Sequence, residues 1–143
     1  EEVPYWTKEG VVQIGHLNPY KRVEAETMAW SKGVKAEKMN NRVAVNDIHN
    51  GDYILLKGVD FGKGAKNITI NAEPLNGGNV EIRIDGMNGK VLGTCKISGE
   101  NNQWHNYIAS MIKTSGIHDL YLIFKGDADK ELFKLDYWQM KKL

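Results

Sequence analysis

The chain has 143 residues, 41% hydrophobic and 26% charged, which suits one globular domain whose core needs no metal or disulfide staple. Nineteen Lys and Arg against 18 Asp and Glu leave a formal net charge of +1, and no run of like charge marks a nucleic-acid or membrane surface. No apolar stretch approaches the roughly 18 residues of a membrane span, and Glu1-Glu2 does not resemble an export signal, so a secreted parent would carry its signal outside this fragment.

Residues 1–21 carry no clean period and hold two of the three prolines, Pro4 and Pro19. They read as an interdomain lead-in to a domain over 22–143. From Arg22 onward, short runs rich in β-branched and aromatic residues recur between turn signals, which predicts an all-β fold, a β-sandwich of two antiparallel sheets. The expected strands are 22–25, 42–45, 52–57, 67–72, 79–85, 90–97, 105–111, 118–125 and 132–140. Asn50-Gly51, Asn76-Gly77-Gly78 and Asn88-Gly89 supply residues that tolerate positive φ in tight turns. Alternation is clear where Val80, Ile82 and Ile84 interleave with Glu81, Arg83 and Asp85, and again at Leu120, Leu122 and Phe124. No stretch of ten or more residues sustains a helical period. Cys95, the single cysteine, lies in the alternating run Val91 to Ile97 and reads as a small buried apolar residue.

Glu24-Ala25-Glu26 places two carboxylates on the same side of one strand, and Asp136 falls in the last strand, which commonly pairs with the first in closed sandwiches. Three convergent carboxylates suit calcium, a solvated edge is the commoner origin of such spacing, and a glycosidase acid/base pair also needs two carboxylates. Spacing does not choose among these. Trp104 follows the polar turn Asn101-Asn102-Gln103 and fits either a sugar-stacking platform or a half-buried packing residue. His16, His49, His105 and His118 show no zinc-ligand spacing. Gly62-Lys63-Gly64 is a plain turn, and Asn67-Ile68-Thr69 is a glycosylation sequon at a strand start. No nucleophile motif is present.

Six ordered blocks carry a family resemblance: Val23-Glu24-Ala25-Glu26; Ile48-His49-Asn50-Gly51-Asp52-Tyr53; Val59-Asp60-Phe61-Gly62; Gly78-Asn79-Val80-Glu81-Ile82-Arg83-Ile84-Asp85; Gly116-Ile117-His118-Asp119-Leu120; and Leu132-Phe133-Lys134-Leu135-Asp136-Tyr137-Trp138. Together, over about 17–140, they resemble family 6 carbohydrate-binding modules. The stretch from Leu17 to Thr27 is similar to the join in family 43 glycoside hydrolases that degrade arabinoxylan. The resemblance implies a jelly roll and a structural Ca2+ held by Glu24, Glu26 and Asp136. It implies two sugar sites. At a loop-end cleft Trp104 matches one aromatic and Glu37 the rim acid, while Asp47 stands where a second aromatic is usual and Lys134 where an Asn is usual; Asp47 and Lys134 are expected to pair across the cleft. On a sheet face, Tyr53 matches a sugar-contacting position.

The expected function is therefore a non-catalytic, monomeric module, with no nucleic-acid or membrane partner, that targets a secreted, extracellular glycoside hydrolase to xylan or arabinoxylan, or to another β-glucan. The alternative is a structural module that packs against and stabilises the catalytic domain of the same polypeptide.

Overall fold

The alternation over 79–85 is what the folded chain buries: Val80, Ile82 and Ile84 face inward while Glu81 and Arg83 remain partly exposed, as the two-residue period of a half-buried strand requires. The computed structural model describes residues 5–6, 12–13, 16–39, 42–99 and 103–143. Among these the chain forms thirteen strands and no helix. In chain-order numbering, one sheet runs β10 (Lys90–Ile97), β9 (Gly78–Ile84), β12 (Ile117–Lys125), β7 (Tyr53–Asp60), β4 (Trp30–Lys32). The second runs β11 (His105–Ser110), β8 (Ala65–Pro74), β13 (Phe133–Lys142), β6 (Arg42–Asn46), β5 (Lys35–Met39), with β3 (Val23–Glu24) also on β13. β1 (Tyr5–Trp6) and β2 (Val12–Gln13) pair with each other.

Every strand pairing is antiparallel, and the inner faces of the two larger sheets enclose one core. Phe124 of one sheet meets Phe133 of the other edge to face, with ring centroids 5.7 Å apart, a geometry that aligns ring edge with ring face. Trp138 and Phe61 are buried in the same core. Cys95 is also fully buried, and burial pushes its thiol up to about 11.

All nine expected strands form, the one over 90–97 with the expected bounds and the others with shifted ends. The strand expected over 52–57 continues to Asp60 because the positive φ of Gly58 (65°) is absorbed where the pairing with β12 shifts register between His118 and Leu120. β4 and β5 were not legible: β4 is three residues long, and β5 is an edge strand with residues 35–38 exposed, so neither displays a burial period. The expected pairing of first and last strands forms, with Val23 opposite Trp138 and Glu24 opposite Tyr137.

Packing reaches back into the expected lead-in. Leu17 is buried, its N–H donates to the Gly58 carbonyl at 2.9 Å, and its carbonyl accepts from Asp60 N–H at 2.9 Å. The Pro19 carbonyl accepts from Met140 N–H at 2.8 Å, and the Tyr20 hydroxyl donates to the Phe61 carbonyl at 2.5 Å. Among the described residues, packing against the sandwich thus reaches back to Leu17.

Candidate functional site

The β3–β13 pairing brings the expected acidic ligands to one region: Ala25 N–H donates to the Asp136 carbonyl at 2.8 Å, and Glu24 and Glu26 flank Ala25. Arg22 Nε lies 3.5 Å from Glu24 and its Nη2 3.7 Å from Asp136, while Arg42 Nη1 lies 3.2 Å from Asp136. Two guanidinium groups thus meet the charge of these carboxylates. Among the described residues no three acids, histidines or cysteines are gathered as a metal-binding group. The donors nonetheless carry the hard, all-oxygen chemistry that calcium takes, and both carboxylate oxygens of Glu26 are sealed from solvent.

At the loop end, Lys35, Glu37, Asn46, Asp47 and Glu131 line a cleft of about 360 Å³. The Asn46 amide donates to the Glu37 carboxylate, and Asp47 N–H donates to Glu131 at 3.0 Å. Asp47 has φ 57°, a left-handed conformation that Asp tolerates better than a bulky aromatic. The expected pair of Asp47 with Lys134 does not form. Asp47 instead pairs with Lys35 at 3.7 Å and lies 3.8 Å from His49, because β5 and β6 set Lys35 opposite Asn46, next to Asp47, whereas Lys134 lies on β13 opposite Glu73. Neither Trp104 nor Lys134 lines the cleft.

Trp104 lies just before β11, and the Arg42 guanidinium stacks on its ring, 4.3 Å from the centroid. Arg42 is itself fixed by Asp136 and by a 3.4 Å hydrogen bond to the Asn71 side-chain oxygen. One face of the indole is therefore occupied by a held cation. Of the residues that the resemblance groups in one sugar cleft, Glu37 and Asp47 line the loop-end cleft and Trp104 carries Arg42 on its ring.

The sheet-face candidate is built differently. Cross-strand register sets Trp30 opposite Leu55, Leu55 opposite Tyr121 and Tyr121 opposite Arg83, one row across four strands. The next row runs Lys32, Tyr53, Ile123, Glu81. Opposed residues share a face, so both rows lie on the outer surface of the five-stranded sheet. Leu55 and Ile123 are buried there, the Tyr53 and Tyr121 rings stand 6.1 Å apart at 40°, and Trp30 is 63% exposed at the edge. Arg83 is oriented by Glu81, at 3.0 Å through both Nε and Nη2, and by the Gly89 carbonyl at 2.9 Å. The Tyr121 phenol is pushed up by burial and then by the nearby Asp119, Tyr53 and Asp85. Aromatic faces flanked by fixed charged donors match a sugar, with its apolar ring face and hydroxyl rim.

Trp30 is the residue that sequence reasoning missed. Its strand is too short for a period, and its place is set by the turn that follows: Gly33 has φ +84°, and a Cβ there would collide with the Asp52 carboxylate at 2.1 Å. The legible signal was limited to an aromatic three residues before a glycine.

The model of the carbohydrate binding module (family 6) matches residues 24–142. An arabinoxylan arabinofuranohydrolase of Paenibacillus polymyxa is 37% identical over 139 residues, 91% of this chain and 22% of that protein. The chain spans about a quarter of the length of the arabinofuranohydrolases it matches. A family 6 module from Clostridium cellulolyticum, solved in complex with xylose, superposes with a TM-score of 0.83 at 32% identity, covering 88% of this chain and all of that one. The family 43 arabinoxylan arabinofuranohydrolase of Bacillus subtilis, solved with cellotetraose, gives a TM-score of 0.84 at 31% identity, covering 98% of this chain and 33% of that one. A match through nearly every strand, on a sandwich of the same shape, means that the chain belongs to family 6 of the carbohydrate-binding modules.

Proposed function

We propose that this module binds xylan or arabinoxylan on the outer face of its five-stranded sheet and thereby holds a secreted, extracellular glycoside hydrolase, of which it is a part, on plant cell-wall polysaccharide. The observation that carries the reading is the row Trp30, Leu55, Tyr121, Arg83, with an exposed indole at its end. Each square ångström of apolar surface that a sugar ring covers there is worth about 25 cal/mol, and Lys32, Glu81 and Arg83 can meet the hydroxyls. The module is monomeric and performs no chemistry of its own in this reading; tethering raises the enzyme's local substrate concentration. The sugars and enzymes named for its relatives support xylan and β-glucan as the polymers to test.

Calcium belongs to the same proposal. Glu24, Glu26 and Asp136 would hold it, and its part would be structural, clamping β3 and the turn after it onto β13. The sealed Glu26 carboxylate supports this.

Isothermal titration with xylohexaose, soluble arabinoxylan and cellohexaose, in calcium, tests the binding reading. Trp30→Ala and Tyr53→Ala should abolish the heat, and Trp104→Ala should leave it. The acid-lined loop-end cleft and the Arg42-covered Trp104 favour a second reading, in which the module packs against and stabilises its catalytic domain. Absence of heat with all three ligands would support it.

A further inference from the structure

The opposite face of the molecule carries a groove that the proposed site does not use. The geometry points to a second carbohydrate site there, on the outer face of the six-stranded sheet, that takes a polysaccharide bearing uronic acid groups. The choice of carbohydrate rests on the family to which the chain belongs; it does not rest on the proposed site around Trp30.

The groove has a volume of about 720 Å³. Its floor is three strands wide, and register aligns the side chains in rows: Ile108, Thr69 and Gln139 in one, Asn106, Asn71 and Tyr137 in the next. With strands about 4.8 Å apart and alternate residues about 6.7 Å apart, two such rows form a shelf about 10 Å wide. Asn67, two residues from Thr69, continues the shelf along β8. The sequon residues Asn67 and Thr69 thus share a face by alternation, and both line the groove.

The lining chemistry is selective. Asn67, Thr69, Asn106 and Gln139 offer neutral donors and acceptors, the complement of sugar hydroxyls. Asn106 accepts from Asn71 at 2.9 Å and from the Tyr137 hydroxyl at 3.1 Å, and Gln139 donates to the Tyr20 carbonyl at 2.9 Å. These side chains are oriented before any ligand arrives. Ile108, 68% exposed on the edge strand, supplies an apolar patch for a ring face.

Charge decides the class of sugar. Lys21, Lys141 and Lys142 line the groove, and no lining residue is acidic. The neighbouring pocket shares Lys142 and adds Lys63, beside one acid, Asp60. Among the described residues none of these four lysines has a carboxylate within ion-pairing distance. In a chain of net charge +1, such local excess attracts an anion, and amides interleaved with lysines suit a carboxylated sugar better than a neutral one.

The test is affinity electrophoresis and titration of the whole module against a glucuronic-acid-substituted xylan and against the same polymer after carboxyl reduction. At low salt the acidic polymer should bind roughly tenfold more tightly than its reduced form, and the difference should fade by about 0.5 M salt as screening sets in. K141Q/K142Q should remove the preference, as should I108D, which places a negative charge on the exposed shelf. Trp30→Ala should keep the preference while losing neutral xylo-oligosaccharide binding. Equal binding of the two polymers, or a preference that survives both groove variants, would overturn the proposal. Loss of the preference in Trp30→Ala alone would overturn it too, because the acidic polymer would then be held on the five-stranded face.

Discussion

The two outer faces of the sandwich derive from the same strand alternation but present opposite chemistry. On the five-stranded sheet the outward positions are Trp30, Tyr53, Leu55, Tyr121 and Ile123, an apolar strip edged by Lys32, Glu81 and Arg83. On the six-stranded sheet they are mainly amides and a hydroxyl, Asn67, Thr69, Asn71, Asn106 and Gln139, with Ile108 on the edge strand, Tyr137 in the same row as Asn71, and lysines at the end, and the ring of Trp104 lies under Arg42. Alternation guarantees one wet face per sheet; which residues fill it decides what that face can hold. An outward aromatic left uncovered can offer its face to a ligand, whereas one under a held guanidinium has a face already taken.

The largest effect expected from disturbing this comparison lies under the six-stranded face. If calcium bridges Glu24, Glu26 and Asp136, the ion at about 100-fold excess over its Kd adds roughly 2.7 kcal/mol to stability. Chelation should then lower Tm in a thermal melt, and Glu26→Gln should melt alike with and without calcium. Next is Trp30→Ala, which should weaken xylohexaose binding by about 30-fold or more, the scale of a hot-spot aromatic and enough to take its heat below detection in the titration, with Tm unchanged because the indole is exposed. Arg42→Gln should cost about 1 kcal/mol in urea unfolding through the lost stack and ion pair. It should also increase quenching of Trp104 fluorescence by iodide.

The smallest effect separates structural from binding electrostatics. His118 Nδ1 lies 2.8 Å from Asp85 and Nε2 2.7 Å from the Ser115 carbonyl. Burial lowers its pKa, but the Asp85 hydrogen bond, the Ser115 carbonyl and the charges of Asp85 and Asp119 outweigh that, so the net shift is above the ordinary 6.5. A raised folded-state pKa stabilises fully below the unfolded value and loses that contribution as pH rises through the folded value. His118→Gln should therefore cost more stability at pH 5.5 than at pH 8.5, while sugar affinity stays the same at both.

Long strands with clean alternation were readable because burial imposes a period on sequence, as at Val80, Ile82 and Ile84. The pairing of first and last strands was readable from sandwich closure. The site was less so. Trp30 stands on a three-residue strand whose place depends on the Gly33 turn and on register with Leu55. Trp104 and Arg42 meet only through tertiary packing, 62 positions apart in the numbering. Asp47 and Lys134 were plausible partners as opposite charges at two departures from one pattern, but the β5–β6 hairpin supplies Lys35 first.

The most direct measurement is a 15N–1H spectrum of the tryptophan indoles during titration with xylohexaose. The Trp30 indole resonance should move in a saturable way, while those of Trp104 and buried Trp138 stay fixed. Movement of Trp104 with Trp30 unchanged would contradict the assignment of sugar binding to the five-stranded face.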